Sequence, residues 1–400
     1  MPEIAWLSQE RIDLLTKDRR WLHAHPEIGY DLPQTSGFVR NRLDSLGIPY
    51  EAGIAESGLV AKIRGTRGNG PAIGFRADMD ALPFTEKTNK PYASKTAGRM
   101  HGCGHDGHTA MLLGLAERLA EHRVFAGTVY LIFQPAEEGQ AGGQRMVEEG
   151  LFDRFPMDRI FALHNWPDLP PGVIGALDGP IMASSHRLDI TLRGSGGHGG
   201  MPHKATPLMS AAAHVQLALD SYLAQQVDAC RAIVISLTQI ESTEAVTVLP
   251  ETVRIRGAVR ILQPDAAERF YREIPRLIDG IATGFGATAE IDLQEVYPTT
   301  SNDARASAIV RKAAENLGLR CESEATGLDP SLASEDFSFM LNTRPGAYFW
   351  LGQGGGTEGR ALHAPTYDFN DEIIGAGVAM FAEIARLALS DPAIRYIEED

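Results

Sequence analysis

Four hundred residues correspond to two or three domains at ~150 residues each, enough to bury a substantial core. With 44% hydrophobic and 22% charged residues, the composition is that of a globular chain and excludes disordered, collagen-like and coiled-coil classes. Lys+Arg total 37 against 52 Asp+Glu, a net charge of -15 that offers no footprint for nucleic acid or an anionic membrane; three cysteines, Cys103, Cys230 and Cys321, are too few for a disulfide framework and point to a reducing compartment.

The opening residues are charged every few positions and read as an amphipathic helix from Glu3 to Leu22 rather than a signal peptide, and a second helix is expected over Pro33–Leu46. Short β-rich runs follow at Gly58–Arg64, Ala72–Asp78, Val129–Phe133, Arg159–Leu163 and Ala347–Leu351, interleaved with helices at Gly107–Glu121, Asp303–Leu317 and Asp371–Leu389. This alternation predicts an α/β fold, a mixed sheet flanked by helices. Glu383 and Arg386 interrupt the apolar C-terminal run, so no segment is expected to span a bilayer, and a cytoplasmic location is expected. Residues 184–297 read differently, as β-α-β-β-α-β, the order of a ferredoxin-like α+β unit. The expected organisation is a discontinuous catalytic domain, 1–183 and 298–400, with 184–297 inserted into it.

The candidate chemistry gathers where strands end. Cys103 and His105 stand two residues apart in MHGCGHDGH and offer a thiolate and an imidazole, donors suited to zinc or another transition metal. The same loop formally contains G-x-G-x-x-G over Gly102–Gly107, but no apolar strand precedes it and Asp106 would repel a pyrophosphate, which disfavours a dinucleotide site. Glu137 and Glu138 follow the Val129–Phe133 strand, His164 follows Arg159–Leu163, and Asp78-Met79-Asp80 follows Ala72–Arg76. His363 comes after Ala347–Leu351 and a Gly-rich loop at Gly352–Gly359. The carboxyl ends of strands are where α/β sheets place ligands, and the convergence of these groups argues for a metal site. His198, set between glycines in GSGGHGG after the first strand of the insertion, is a further candidate, able to stabilise an oxyanion. His23, His25, His122, His186 and His214 are left as structural or surface residues.

The motifs RRWLHAHPEIGYDLPQTSGFVRNRLDSLGI, FRADMDALP, MHGCGHDGHTAMLLGLA, FQPAEEG, ALHNWPDLPPG, GSGGHGGMPH, SEDFS and LHAPTYDFND resemble, in order, those of the hippurate hydrolase and auxin-conjugate amidohydrolase branch of the aminoacylase and carboxypeptidase G-type dinuclear metallohydrolases. The resemblance implies hydrolysis of the amide bond of N-acyl amino acids, with a dipeptidase or carboxypeptidase on the same scaffold as the alternative. It implies two divalent ions per subunit (Zn, Mn, Co or Ni) held by Cys103, His105, Glu138, His164 and His363, with Glu137 as the base and Asp80 as an acid that supports the ligands. It further implies that the insertion is a lid and dimerisation domain carrying His198 as a carbonyl-polarising residue, in a homodimer or homotetramer. Thr247-Val248-Leu249-Pro250 stands where relatives commonly read Asn-Val-Ile-Pro, which alters one substrate contact.

Overall fold

The computed structural model describes residues 6–228, 231–356 and 361–390. Cys230, residues 3–5 of the helix expected from Glu3, and the far part of the Gly352–Gly359 loop lie outside them; among the described residues that helix begins only at Gln9, where the Ser8 side chain caps it by accepting from Arg11 N–H. The chain divides into two compact units, Met1–Ile181 with Ser301–Asp329 and Asp336–Asp400, and Met182–Thr300 with Pro330–Glu335.

In the first unit the described residues form an eight-stranded mixed sheet in the order Tyr50–Ile54, Gly58–Arg64, Thr128–Gln134, Ala72–Asp78, Arg159–Trp166, Gly346–Gly352, Ile174–Gly175, Cys321–Glu322. Thr128–Gln134, Ala72–Asp78, Arg159–Trp166 and Gly346–Gly352 are neighbours and mutually parallel, so their carboxyl ends share one edge. These strands are apolar almost throughout, Gly346–Gly352 being buried at every position, because helices cover the sheet. Helices His105–Glu121 and Ile374–Ser390 carry much of that cover, and Gly377 lets them close: a Cβ there would stand 2.0 Å from Met111 Sδ. By length and composition Asp371–Ser390 could cross a membrane, but 72% of its most apolar window is buried within the fold, as in a core helix.

Three local differences from the expected elements bear on the site. The strand expected to end at Leu163 runs on to Trp166, so His164 lies within it; pairing continues because Trp350 faces His164 and Leu351 faces Asn165. The helix expected from Gly107 begins at His105, whose side chain is therefore placed by helical geometry. The strand Tyr50–Ile54 was not anticipated, since an exposed edge strand with glycine inside it carries no apolar alternation.

The second unit holds a four-stranded antiparallel sheet, in the order Ile233–Glu241, Thr252–Ile261, Ser184–Arg193, Thr288–Tyr297, with helices Leu208–Gln226 and Pro264–Gly284. This is the ferredoxin-like strand order. Alternate residues Leu188, Ile190, Leu192, Val253 and Ile255 pack against Val215, Leu219, Phe270 and Ile274. Helix Leu208–Gln226 starts directly after Pro207, which biases the residue before it away from helical backbone.

Behind the sheet edge of the first unit, the fully buried Arg19 and His23 on helix Gln9–Ala24 meet Asp106 on helix His105–Glu121, with His23 Nδ1 2.9 Å and Arg19 Nη1 3.5 Å from Asp106 Oδ2. Burial opposes charge on His23, but the hydrogen bond and charge of Asp106 outweigh it and raise its pKa to about 9. A pKa raised on folding contributes stability that is complete below the unfolded value of about 6.5 and is lost as pH rises through about 9. We therefore expect the urea midpoint to fall between pH 7 and 9, and His23→Leu to flatten that fall while costing about 3 to 5 kcal/mol at pH 6 as one partner of a buried pair is lost. Denaturation curves of both proteins across this range check the expectation.

Candidate metal centre

The shared edge of the parallel strands gathers the donors. Asp78 is the last residue of its strand, and Asp80, two residues on, is buried. The Asp80 carboxylate accepts the backbone N–H groups of Glu137 (3.0 Å) and Glu138 (3.1 Å), clamping the irregular turn that follows the next strand. Its backbone carbonyl accepts from His105 Nδ1 at 2.9 Å. That bond leaves Nε2 of His105 as the ring's free donor atom, and Nε2 is buried without a hydrogen-bond partner among the described residues.

Cys103 Sγ lies 3.3 Å from His164 Nε2, while His164 Nδ1 donates to the Asn165 carbonyl at 2.7 Å, so both imidazoles turn Nε2 inward. His363 sits on left-handed backbone (φ 63°), its N–H donating to the Gly102 carbonyl at 2.8 Å. Its Nε2 reaches Glu138 Oε1 at 3.3 Å, and His105 Nε2 is 3.9 Å from the same oxygen.

Ligand-capable atoms thus fall into overlapping groups, each within 4.8 Å: Cys103, His105 and His164; Cys103, Glu138 and His363; His105, Glu137 and Glu138. The structure brings together Cys103, His105, Glu137, Glu138, His164, His363 and Asp80. His198 belongs to the other unit, exposed on the short strand Gly197–His198 that pairs with Val248–Leu249.

Electrostatics favour a cation here. Burial works against a charged His105, yet Asp78, Asp80 and Glu138 outweigh it and raise its pKa to about 10. Glu138 is held below the usual carboxylate range: burial opposes this, but His363 and His105 prevail. Burial pushes Asp80 up, only partly offset by His105. His164 is driven well below the ordinary histidine value by burial and by the charge of His108, which keeps it neutral with a lone pair to offer. Thiolate, imidazole and carboxylate donors in this surrounding fit divalent transition ions.

The groups that support the donors are not distinguished by residue type. His108, one helical turn beyond His105, and Asn165, next to His164, are both buried beneath the donors, and Asp78 joins Arg76 to them. The spacing His105-x-x-His108 on one helix was the available signal. The G-x-G-x-x-G match has a packing cause: a Cβ on Gly104 (φ 100°) would stand 2.1 Å from Asn165 Oδ1, and one on Gly107 2.2 Å from the Phe369 ring.

The sequence profile of Peptidase family M20/M25/M40 matches residues 74–387. The chain belongs to this family. Among its relatives, the N-acetylcysteine deacetylase of Bacillus subtilis (strain 168) is 36% identical over 377 residues, covering 93% of this chain and 96% of that protein. The hippurate hydrolase of Campylobacter jejuni is 35% identical over 388 residues, with coverage of 96% and 98%. A Bacillus subtilis crystal structure described as a dinuclear metal binding peptidase from the M20 family superposes with TM-score 0.84 at 34% identity, covering 96% of this chain and 99% of that one. This M20 protein is accordingly a hydrolase of the amidohydrolase type, and its described residues include clustered donors able to hold a metal ion. Cys103→Ala, which removes the atom common to two of the donor groups, is expected to lower the divalent metal retained after dialysis by at least one equivalent, measured by elemental analysis; full retention would exclude Cys103 as a ligand.

Proposed function

We propose that this M20 protein hydrolyses the amide bond of N-acyl amino acids, releasing a carboxylic acid and a free amino acid, at a centre for two divalent ions held by Cys103, His105, Glu138, His164 and His363. The observation that carries the reading is the pair of overlapping donor groups that share Cys103; the deacetylase and hippurate hydrolase relatives support the substrate class. When bound, the ions supply Lewis acidity toward the scissile carbonyl and lower the pKa of water.

Glu137 is the proposed general base. Its carboxyl group has an oxygen within 4.8 Å of donor atoms of His105 and Glu138 without being needed in either group that contains Cys103, and its backbone is clamped by Asp80. It takes a proton from the attacking water and returns it to the amide nitrogen as the C–N bond breaks, a role worth on the order of 100- to 10,000-fold in rate. For His198 we propose hydrogen-bond donation to the developing oxyanion. Its Nδ1 lies 3.0 Å from the Gly200 N–H and accepts from it, so in the neutral ring the proton sits on Nε2, the nitrogen that can donate outward. Thr247, whose carbonyl accepts from Gly199 N–H at 2.7 Å, lies beside it and bears on substrate choice. A homodimer or homotetramer and a cytoplasmic location complete the proposal; a reducing compartment suits a ligand thiolate.

Glu137→Gln is expected to keep both metal equivalents and the fold while losing at least 100-fold in kcat, and near-normal turnover would remove Glu137 from this role. His198→Ala is expected to lower kcat by roughly 100- to 1000-fold with unchanged metal content, the usual cost of losing an oxyanion donor. The substrate class is tested by assaying the metal-reconstituted protein against N-acetyl, N-benzoyl and indole-acyl amino acids of both configurations alongside unblocked dipeptides; turnover confined to the dipeptides would favour a peptidase instead.

A further inference from the structure

We propose that His108 is a positioning residue that acts through Asn165 to hold His164, and with it the turn Cys103-Gly104-His105, in place. The inference rests on the ligand set proposed above.

His108 is 1% exposed, and both ring nitrogens are committed. Nδ1 donates to Asp78 Oδ1 at 2.7 Å. Nε2 lies 2.7 Å from Asn165 Oδ1 and 3.1 Å from the Asn165 backbone nitrogen, so as donor to the one or acceptor from the other it is tied to the same residue. Although His108 lies close to Asp78 and His105, these bonds leave it no lone pair facing the donors, and it is not itself a ligand. Asn165 then acts in two directions. Its backbone carbonyl accepts from His164 Nδ1 at 2.7 Å, which selects the tautomer with Nε2 turned toward Cys103. Its side chain, donating to Tyr367 OH at 2.8 Å, lies against Gly104 so closely that a Cβ there would stand 2.1 Å from Oδ1. One residue therefore braces the ring of one donor and the backbone between two others.

The sequence places this brace economically. His105 and His108 lie three residues apart on the helix His105–Glu121, and one turn of it presents a donor to the centre and a fastener to the strand Arg159–Trp166. Asp78 anchors the far end, held by Arg76 Nη1 at 2.6 Å, and Thr109 Oγ1 donates to its carbonyl at 2.9 Å. Groups that orient a metal-bound histidine typically change metal affinity or activity by 10- to 100-fold when removed.

Two near-isosteric substitutions separate positioning from packing. A Gln amide nitrogen falls near the position of Nε2 and keeps the link to Asn165; an Asn amide nitrogen falls near Nδ1 and keeps only the link to Asp78. Zinc affinity is read by competition with a chromophoric chelator, kcat and KM by hydrolysis of an N-acyl amino acid, and folding by thermal melting of the metal-free protein. His108→Ala and His108→Asn are expected to weaken zinc binding or kcat by about 10- to 100-fold with KM changed less than about threefold, while His108→Gln stays within about threefold of the parent. Asn165→Ala should lose as much as His108→Ala, and the double variant no more than Asn165→Ala alone, as required of residues acting in series. The proposal is overturned if His108→Asn is retained and His108→Gln lost, if losses in the double variant multiply, or if zinc affinity and kcat merely follow the melting temperature. The reading beneath it fails separately: a parent protein that binds no zinc, or a Cys103→Ala variant with full zinc content, refutes the ligand set whatever the His108 series does.

Discussion

Everything at the centre depends on concentrating negative charge where water cannot screen it. Asp78, Asp80, Glu137, Glu138 and Cys103 all lie at one sheet edge, and all but Glu138 are less than a tenth exposed. Such a group is tolerated only if each charge is paired or hydrogen-bonded. From beneath, Arg76 does part of this: fully buried, it bonds Asp78 (2.6 Å), Gln134 (2.8 Å) and Asp336 (2.9 Å), and Asp336 in turn accepts from Gln134 and from the Gly143 N–H at 2.7 Å. On the open side the remaining negative potential calls for cations, and the donor atoms there are ones that transition metals accept. The chemistry proposed for the site is thus the complement of an electrostatic strain built into the fold.

Parallel pairing converts that requirement into geometry. Four neighbouring strands run the same way, so residues that follow their carboxyl ends approach one another although they lie more than 200 positions apart in the chain, as Glu138 and His363 do. Hydrogen bonds between neighbours then set each donor atom. Asp80 fixes the backbone of Glu137 and Glu138 and orients His105; Asn165 fixes His164; Gly102 fixes His363. For the histidines and the Glu137–Glu138 turn, one ring nitrogen or one backbone group does the holding, and the side-chain donor atoms are left facing one another.

Much of the fold was legible because its strands are short, apolar and bounded by Gly, Pro or charge. The bounds of Gly58–Arg64 and Ala72–Asp78 agree with the periodicity to the residue, and the main strands and helices of the second unit follow the expected order, with the short paired strands Gly197–His198 and Val248–Leu249 in addition. What was illegible lay at boundaries set by neighbours. His164 looks like a loop residue when apolarity alone is read, but pairing with Trp350 keeps the strand going beneath it. Tyr50–Ile54 lacks any apolar pattern and exists through its ladder to Gly58–Arg64. The candidate ligands were visible as residue types in strand-end motifs, whereas His108 and Asn165 were not, because nothing in their composition distinguishes a brace from a core polar residue.

By itself the sequence determined the α/β class, the β-α-β-β-α-β order of the main elements within residues 184–297, and the residue types available for metal chemistry, since all three depend on local periodicity and on side-chain identity. Tertiary structure decided which ring nitrogens face inward, which carboxylate clamps a turn, and why Gly104 must lack a side chain. Those outcomes depend on atoms a few ångströms apart that belong to distant stretches of chain: Asn165 pressing on Gly104, Asp80 reaching Glu137, and Arg76 neutralising Asp78 and Asp336.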